Sequence, residues 1–216
     1  MDNPNDRAPI TGGAADPNPL MGAHGTAGMD DLPTVAVCRL GHRPGRDDRM
    51  TTHVGLTARA LGADCVIYPE NATDAAETVR DITDRFGGPF AVERVESPRS
   101  TVRAWEGRVA HLTMYGLPVQ DVEADVRNAL VDDREPLLVV VGSEKVPFEI
   151  YERADWNVAV TNQPHSEVAG LAVLLDRLFE GRALEREWSN ASRRVIPQAR
   201  GKRVESVENR SGDEAS

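Results

Sequence analysis

Two cysteines and two lysines are all that this chain of 216 residues contains of either type. Cys38 and Cys65 each fall inside an apolar run, TVAVCRL and ADCVIY, so they read as buried packing thiols and no disulfide is expected. No run of about 18 apolar residues exists, which removes membrane roles. The N-terminus has neither the basic start nor the apolar centre of a secretory leader, so a cytoplasmic protein is expected. Standard nucleotide signatures are missing too: there is no GxxxxGK[ST] phosphate loop and no GxGxxG after the first strand-like run. No Ser-His-Asp order with a nucleophile elbow occurs, which disfavours acyl hydrolysis. His42, His53, His111 and His165 show neither the i, i+4 helical pairing nor the Cys partners of a zinc site, so no metal is expected.

Charge is what the chain has in excess. The formal net charge is -10, and arginine supplies 23 of the 25 basic residues. An Asp-rich, Lys-poor surface is suited to a high-salt cytoplasm, where carboxylates keep the surface hydrated while salt screens the rest. An acidic total does not exclude nucleic acid, because a local arginine cluster binds phosphate on its own account. RLGHRPGRDDR places Arg39, Arg43, Arg46 and Arg49 in one short segment, and guanidinium forks match phosphate oxygens two at a time. The alternative is a solvated loop whose arginines pair with the interrupting Asp47 and Asp48.

Residues 1–31 are rich in Gly, Pro, Asp and Asn without periodicity, and read as a disordered extension; Met29 stands as an alternative start. Residues 209–216 read as a disordered tail. Between them, runs rich in β-branched residues at 34–40, 63–68, 90–95, 108–115, 136–142 and 155–160 predict strands. Helices are expected near 51–61, 73–86, 99–106, 118–131 and 147–153, with Pro118 at a first helical position. Such alternation specifies an α/β domain with a mostly parallel sheet and helices on both faces. The most apolar helix follows TNQPHSE. Val168, Leu171, Leu175 and Leu178 make one stripe that Val173, Leu174 and Phe179 extend, leaving apolar surface for a subunit interface. SRRVIPQ and KRVESVE around ARG predict a terminal β-hairpin outside the main sheet.

Ligands in open α/β sheets bind beyond the carboxyl ends of strands. The loops to inspect are therefore 39–55, HLTMYGL (111–117), GSEKVP (142–147) and TNQPHSE (161–167). Gly116, Gly142 and Pro164 put tight turns at three strand ends, where unpaired main-chain groups could meet a flat polar base. Taken singly, each turn reads more readily as a connector; the three together, flanking the buried helix, point to a site. Ser166 can cap the following helix through its hydroxyl, and Glu167 suits the helix dipole; both roles need no ligand.

RLGHRPGRDDRMTTHVGLTARALGA, GGPF, HLTMYGL, VVVGSEKVP, NQPHSEVAGLAVLLDRL and VIPQARGK, in order from about residue 34 to 206, resemble the archaeal tRNA (cytidine(56)-2'-O)-methyltransferase family of the SPOUT superfamily. The resemblance implies a SPOUT α/β fold with a deep C-terminal trefoil knot over 32–188, a family-specific hairpin over 189–208, and a homodimer. It implies S-adenosyl-L-methionine as cofactor and the ribose 2'-hydroxyl of cytidine 56 in the tRNA T-loop as acceptor. It places cofactor contacts at Leu112 and Leu117, at Gly142, Ser143, Glu144, Lys145 and Val146, and at Val160, Thr161, Asn162, Gln163, Pro164, His165 and Ser166. Related enzymes use a first-motif arginine beside the nucleophile. Arg39, Arg49 and His53 are the unranked catalytic candidates here, and positioning is favoured over proton abstraction because guanidinium stays charged. Methylation of an RNA base, or a noncatalytic knotted RNA-binding protein, are the alternatives.

Overall fold

The structure, a computed structural model, describes residues 32–207; the expected extension at 1–31 and tail at 209–216 lie outside the described residues. Strands β1 (Val35–Arg39), β2 (Cys65–Pro69), β3 (Ala91–Val95), β4 (Arg108–Pro118), β5 (Leu137–Val141) and β6 (Trp156–Ala159) form one sheet in the order β3-β2-β1-β5-β4-β6. Every neighbouring pair is parallel. Helices α1 (Asp48–Ala60), α2 (Thr73–Phe86), α3 (Pro98–Ala104), α4 (Val119–Val131) and α5 (Phe148–Arg153) connect the strands, and α6 (Glu167–Leu178) follows the last one.

The central strands carry continuous apolar runs because both their faces are covered. Val35, Val37, Val139 and Val141 point to one side, into a core completed by α1, α2, α4 and α6. Ala36, Cys38, Leu138 and Val140 point to the other, against Val102 of α3 and Ile150 of α5. Burial pushes the Cys38 thiol up to about 12, and both cysteines are free. Within the first core, Gly55 of α1 lies where a Cβ would come 2.0 Å from the Tyr68 hydroxyl. That hydroxyl donates to the Thr51 carbonyl at 2.9 Å, so the glycine makes room for a buried phenol that ties helix to strand.

Two features of the chain direct it toward the carboxyl edge of the sheet. In β4, Leu112 and Leu117 both register opposite Val158, so residues 113–116 bulge out of the ladder. A Cβ on Gly116 would meet the Asn157 carbonyl oxygen at 2.3 Å, which restricts the return of the bulge to glycine. Pro118 ends β4 and stands as the N-cap of α4, not inside the helix as the sequence suggested. Ser166 is the N-cap of α6 but makes no side-chain capping bond; its carbonyl accepts from Gly170 N instead.

In α6, Leu171, Leu174, Leu175 and Leu178 are buried, as is Phe179 just after it, whereas Val173 is exposed. α6 packs on α1 and α4, which carries the chain from the edge strand β6 back across the sheet. Beyond it a 3-10 turn leads to an antiparallel pair, β7 (Arg193–Ile196) and β8 (Arg203–Ser206), separate from the main sheet. Among the described residues no helix is long and apolar enough to cross a membrane.

Candidate functional site

The carboxyl ends of β4, β5 and β6 surround a cavity of about 1020 Å³. Three loops close it. The bulge after β4 contributes Leu112 through Tyr115, the turn after β5 contributes Gly142 through Pro147, and the segment after β6 contributes Val160, Pro164 and His165. Glu167 and Gly170, from the first turn of α6, complete the wall.

The glycines mark where backbone replaces side chain. A Cβ on Gly142 would come 2.8 Å from Val146 Cγ2, and one on Gly170 would come 2.9 Å from the His165 ring. Both positions let a turn fold tightly against its neighbour with main-chain groups facing the cavity. Asn162 stitches the third loop to the first: its Nδ2 donates to the Met114 and Gly116 carbonyls at 2.8 and 3.1 Å.

Nine of the fourteen positions expected to hold a cofactor line this cavity: Leu112, Gly142, Ser143, Glu144, Lys145, Val146, Val160, Pro164 and His165. Thr161, Asn162, Gln163 and Ser166 are exposed and outside the lining. Leu117, beyond the bulge, is 62% exposed and does not reach it. Sequence reasoning included His111 in an inspected loop without giving it a cofactor role, and missed Phe148 and Tyr151 on the same wall. The aromatic pair at i and i+3 of a predicted helix was a usable signal, because those positions share a face. The position of His111 was legible from its strand end, but its orientation was not.

His111 is fully buried, with its Nδ1 2.8 Å from Asn157 Oδ1. Asn157 Nδ2 donates to the Tyr151 carbonyl, so its oxygen faces the imidazole and accepts from Nδ1–H. Nε2 is therefore an acceptor, and among the described residues it has no hydrogen-bond partner. Desolvation holds the His111 pKa below the ordinary imidazole range, only partly opposed by the bond to Asn157. The Tyr151 ring meets the imidazole edge-on at 4.6 Å and stacks loosely on Phe148 at 6.4 Å. Phe148 and Tyr115 stand at the rim, 72% and 77% exposed.

The arginine segment lies beside this cavity and its members differ. Arg43 grips Asp47 with Nε and Nη2 at 2.9 Å each, and reaches the Ser143 carbonyl at 3.4 Å. Those bonds hold the Asp47 carboxyl down to about 2. Gly41 lies against Ser143, where a Cβ would meet Oγ at 2.4 Å. Arg46 and Arg49 are exposed, and among the described residues neither has an ion pair or hydrogen bond.

None of the three catalytic candidates lines the cavity itself, and Arg49 and His53 share a face of α1 one turn apart. Arg39, only 1% exposed, pairs through Nη1 with Glu167 on the cavity wall. Arg49 projects from the start of α1. His53 lies in a second, smaller groove between α1 and α6, lined by Leu56, Leu61, Val168 and Ala172. Among the described residues no group of three metal-ligating side chains occurs.

The family model for "tRNA ribose 2'-O-methyltransferase, aTrm56" matches residues 86–205. A tRNA (cytidine(56)-2'-O)-methyltransferase of Haloarcula marismortui is 70% identical over 176 residues, covering 82% of this chain and 97% of the relative. The protein of the same name from Pyrococcus abyssi is 51% identical over 176 residues, covering 81% and 88%. Among solved structures, the SpoU methyltransferase AviRb from Streptomyces viridochromogenes, in complex with the cofactor AdoMet, aligns with a TM-score of 0.46 at 16% identity, covering 68% of this chain and 57% of that one.

Proposed function

We propose, from the premise that the chain belongs to the tRNA ribose 2'-O-methyltransferase (aTrm56) family, that it methylates the ribose 2'-hydroxyl of cytidine 56 in the tRNA T-loop with S-adenosyl-L-methionine as donor. The observation that carries this reading is the convergence of three strand-end turns on one cavity. The residues present fit the cofactor. The volume stands at the upper end of the roughly 300–1000 Å³ usual for small-molecule sites. The turns at Gly142 and Pro164 present main-chain donors and acceptors to a base and ribose, and His111 Nε2 is an acceptor awaiting a donor. Glu144 and Glu167 stand on the wall already paired with Arg43 and Arg39.

When bound, the cofactor supplies a methyl group already activated on a sulfonium. What remains for the chain is placement and the exclusion of water. The 142–147 turn and the 160–166 loop hold the donor, and Asn162 keeps the latter closed on the bulge. Tyr115 and Phe148 present exposed ring faces suited to stacking a nucleobase at the rim. Arg46 and Arg49 are free to hold RNA phosphates beside the mouth, while Arg43 is committed to Asp47. Arg39 acts as a positioning residue, orienting Glu167.

The α1–α6 groove, with His53, and beyond its lining the exposed Val173 of α6, are where a second copy would pack, and any part of His53 in the reaction would then depend on that copy. The same reading carries a trefoil-knotted SPOUT fold, a cytoplasmic location and work at high salt, the last supported by the acidic composition and by relatives from halophiles.

The test is transfer of labelled methyl to unmodified tRNA in molar salt, followed by nuclease digestion and mass analysis. A 2'-O-methylcytidine at position 56, with an alkali-resistant linkage there, is expected. Methyl on a base, or acceptance by a tRNA with a 2'-deoxy residue at that position, would overturn the assignment.

A further inference from the structure

The β7–β8 ribbon is left over by the cavity chemistry. Seven of its eight strand residues are exposed, so neither face packs on the body of the protein. Two-stranded hairpins are marginal alone in water. This one is fixed at its base. Ser192 N and Oγ bond to the Arg85 carbonyl, Val207 N bonds to the Ser192 carbonyl, and Gly88 N bonds to the Ser189 carbonyl. Gly87 and Gly88, both with positive φ, lie where a Cβ would meet Ser189 O at 2.2 Å and the Trp188 ring at 2.6 Å. Trp188 in turn lies under the guanidiniums of Arg59 and Arg186, at 4.2 and 5.0 Å, and Arg59 reaches the Gly87 carbonyl. A rigid mount thus carries a projecting ribbon.

The charge on that ribbon is opposite to that of the chain. Residues 193–207 hold Arg193, Arg194, Arg200, Lys202 and Arg203 against the single carboxylate of Glu205, in a protein of net charge -10. Arg203 pairs with Glu205, and among the described residues the other four have no ion pair. Val195 and Val204, the central cross-strand pair, are 59% and 53% exposed. The mount sits at the carboxyl end of α2, and hence at the amino edge of the sheet, opposite the cavity.

We infer that the β7–β8 ribbon is a second RNA-contacting surface, binding backbone phosphates of the tRNA at a distance from the methylated nucleotide. This rests on tRNA being the substrate. No aromatic side chain or Asn occurs among residues 193–207, and Gln198 is the sole amide, so the contact is with phosphate and carries little base readout.

The experiment compares the full chain with the triple variant Arg193→Gln/Arg194→Gln/Arg200→Gln, measuring tRNA affinity against salt, steady-state kinetics, cofactor affinity and sedimentation. Each lost phosphate contact flattens the plot of log affinity against log salt by about 0.7–0.9. The expected result is a slope lower by about 2 and a tRNA KM raised roughly tenfold at the lowest salt tested. Turnover at saturating tRNA and cofactor affinity should be unchanged, and the corresponding triple Lys variant should restore the slope.

An unchanged slope and KM would overturn the proposal, as would a variant that sediments as a smaller species, which would make the ribbon a contact between copies. The enzymatic reading fails separately. If the parent chain methylates nothing at position 56 while the variant still loses salt-dependent tRNA binding, the ribbon assignment stands and the reaction assignment falls.

Discussion

Glu167→Gln should destabilise the protein far more than Arg39→Met, although both remove the same ion pair. Arg39 is 1% exposed, and among the described residues its Nε lacks a partner, so loss of the Glu167 carboxylate leaves a buried cation with only the Asp47 carboxylate, already gripped by Arg43, to offset it. Breaking a buried pair in this way costs about 3–5 kcal/mol. Glu167 is 32% exposed, so water screens part of the interaction and the lower figure, about 3 kcal/mol, applies. For a domain of this size each kcal/mol moves Tm by about 2–4 °C, giving a fall of roughly 6–12 °C. Arg39→Met instead leaves the anion half-solvated in the first turn of α6, where the helix dipole favours it, and methionine fills much of the vacated volume. Its cost should be about 1 kcal/mol. The double variant should melt within a few degrees of Arg39→Met. Calorimetric scans of the three proteins decide the matter. If Glu167→Gln melts within about 2 °C of the parent, Arg39 does not depend on Glu167 and its positioning role is wrong. Turnover of Arg39→Met then tests chemistry apart from stability: a loss confined to kcat, with Tm and cofactor affinity kept, would move Arg39 from positioning to direct contact with reacting groups.

Gly55→Ala should destabilise by about 1–3 kcal/mol through overpacking against Tyr68, despite the helix propensity of alanine, and adding Tyr68→Phe should recover most of that in urea titrations. Gly142→Ala should weaken cofactor binding in calorimetry about tenfold while leaving Tm nearly unchanged, since Val146 must shift into the cavity to accept the methyl. His111 has a folded-state pKa below its unfolded value of about 6.5, so the unfolded chain binds more protons as pH falls through that window. Stability should decline on acidification there, and the decline should shrink in His111→Gln; nitrogen-15 NMR should show the Nδ1–H tautomer at neutral pH. Asp47, held down to about 2 by Arg43, acts in a more acidic range: its contribution is intact above about 4 and disappears as pH approaches 2. Asp47→Asn should remove that component from acid-unfolding curves.

The sheet was legible because its strands are continuous β-branched runs, which arise only where both faces are covered. The cavity loops were legible for a related reason: turn residues placed directly after such runs sit at the carboxyl edge, where a parallel sheet has its crevice. Leu117 was misplaced because the bulge at 113–116 breaks the two-residue alternation, and no local signal distinguishes a ladder from a ladder with four residues looped out. The roles of Tyr151 and His111 escaped notice for another reason. Their role depends on Asn157, on a strand 46 residues from His111, orienting one ring nitrogen while the other is left without a partner. Hydrogen-bond orientation between distant segments leaves no periodic trace in a sequence.

The division among arginines follows from the same physics. In an acidic chain every guanidinium has carboxylates to choose from, and pairing with them is the default outcome for Arg39, Arg43, Arg108 and Arg177. An arginine left without such a partner stays available for another anion. Phosphate is such an anion, because a guanidinium fork meets two of its oxygens at once. Arg46 and Arg49 beside the cavity, and Arg193, Arg194 and Arg200 on the ribbon, form two such unpaired groups on opposite edges of the sheet. A folded RNA spans both where a single nucleotide reaches only one. Methyl transfer to an isolated T-loop stem should therefore keep its dependence on Arg46 and Arg49 and lose its dependence on the ribbon. Equal sensitivity of the short and full-length substrates to the ribbon variant would contradict this partition.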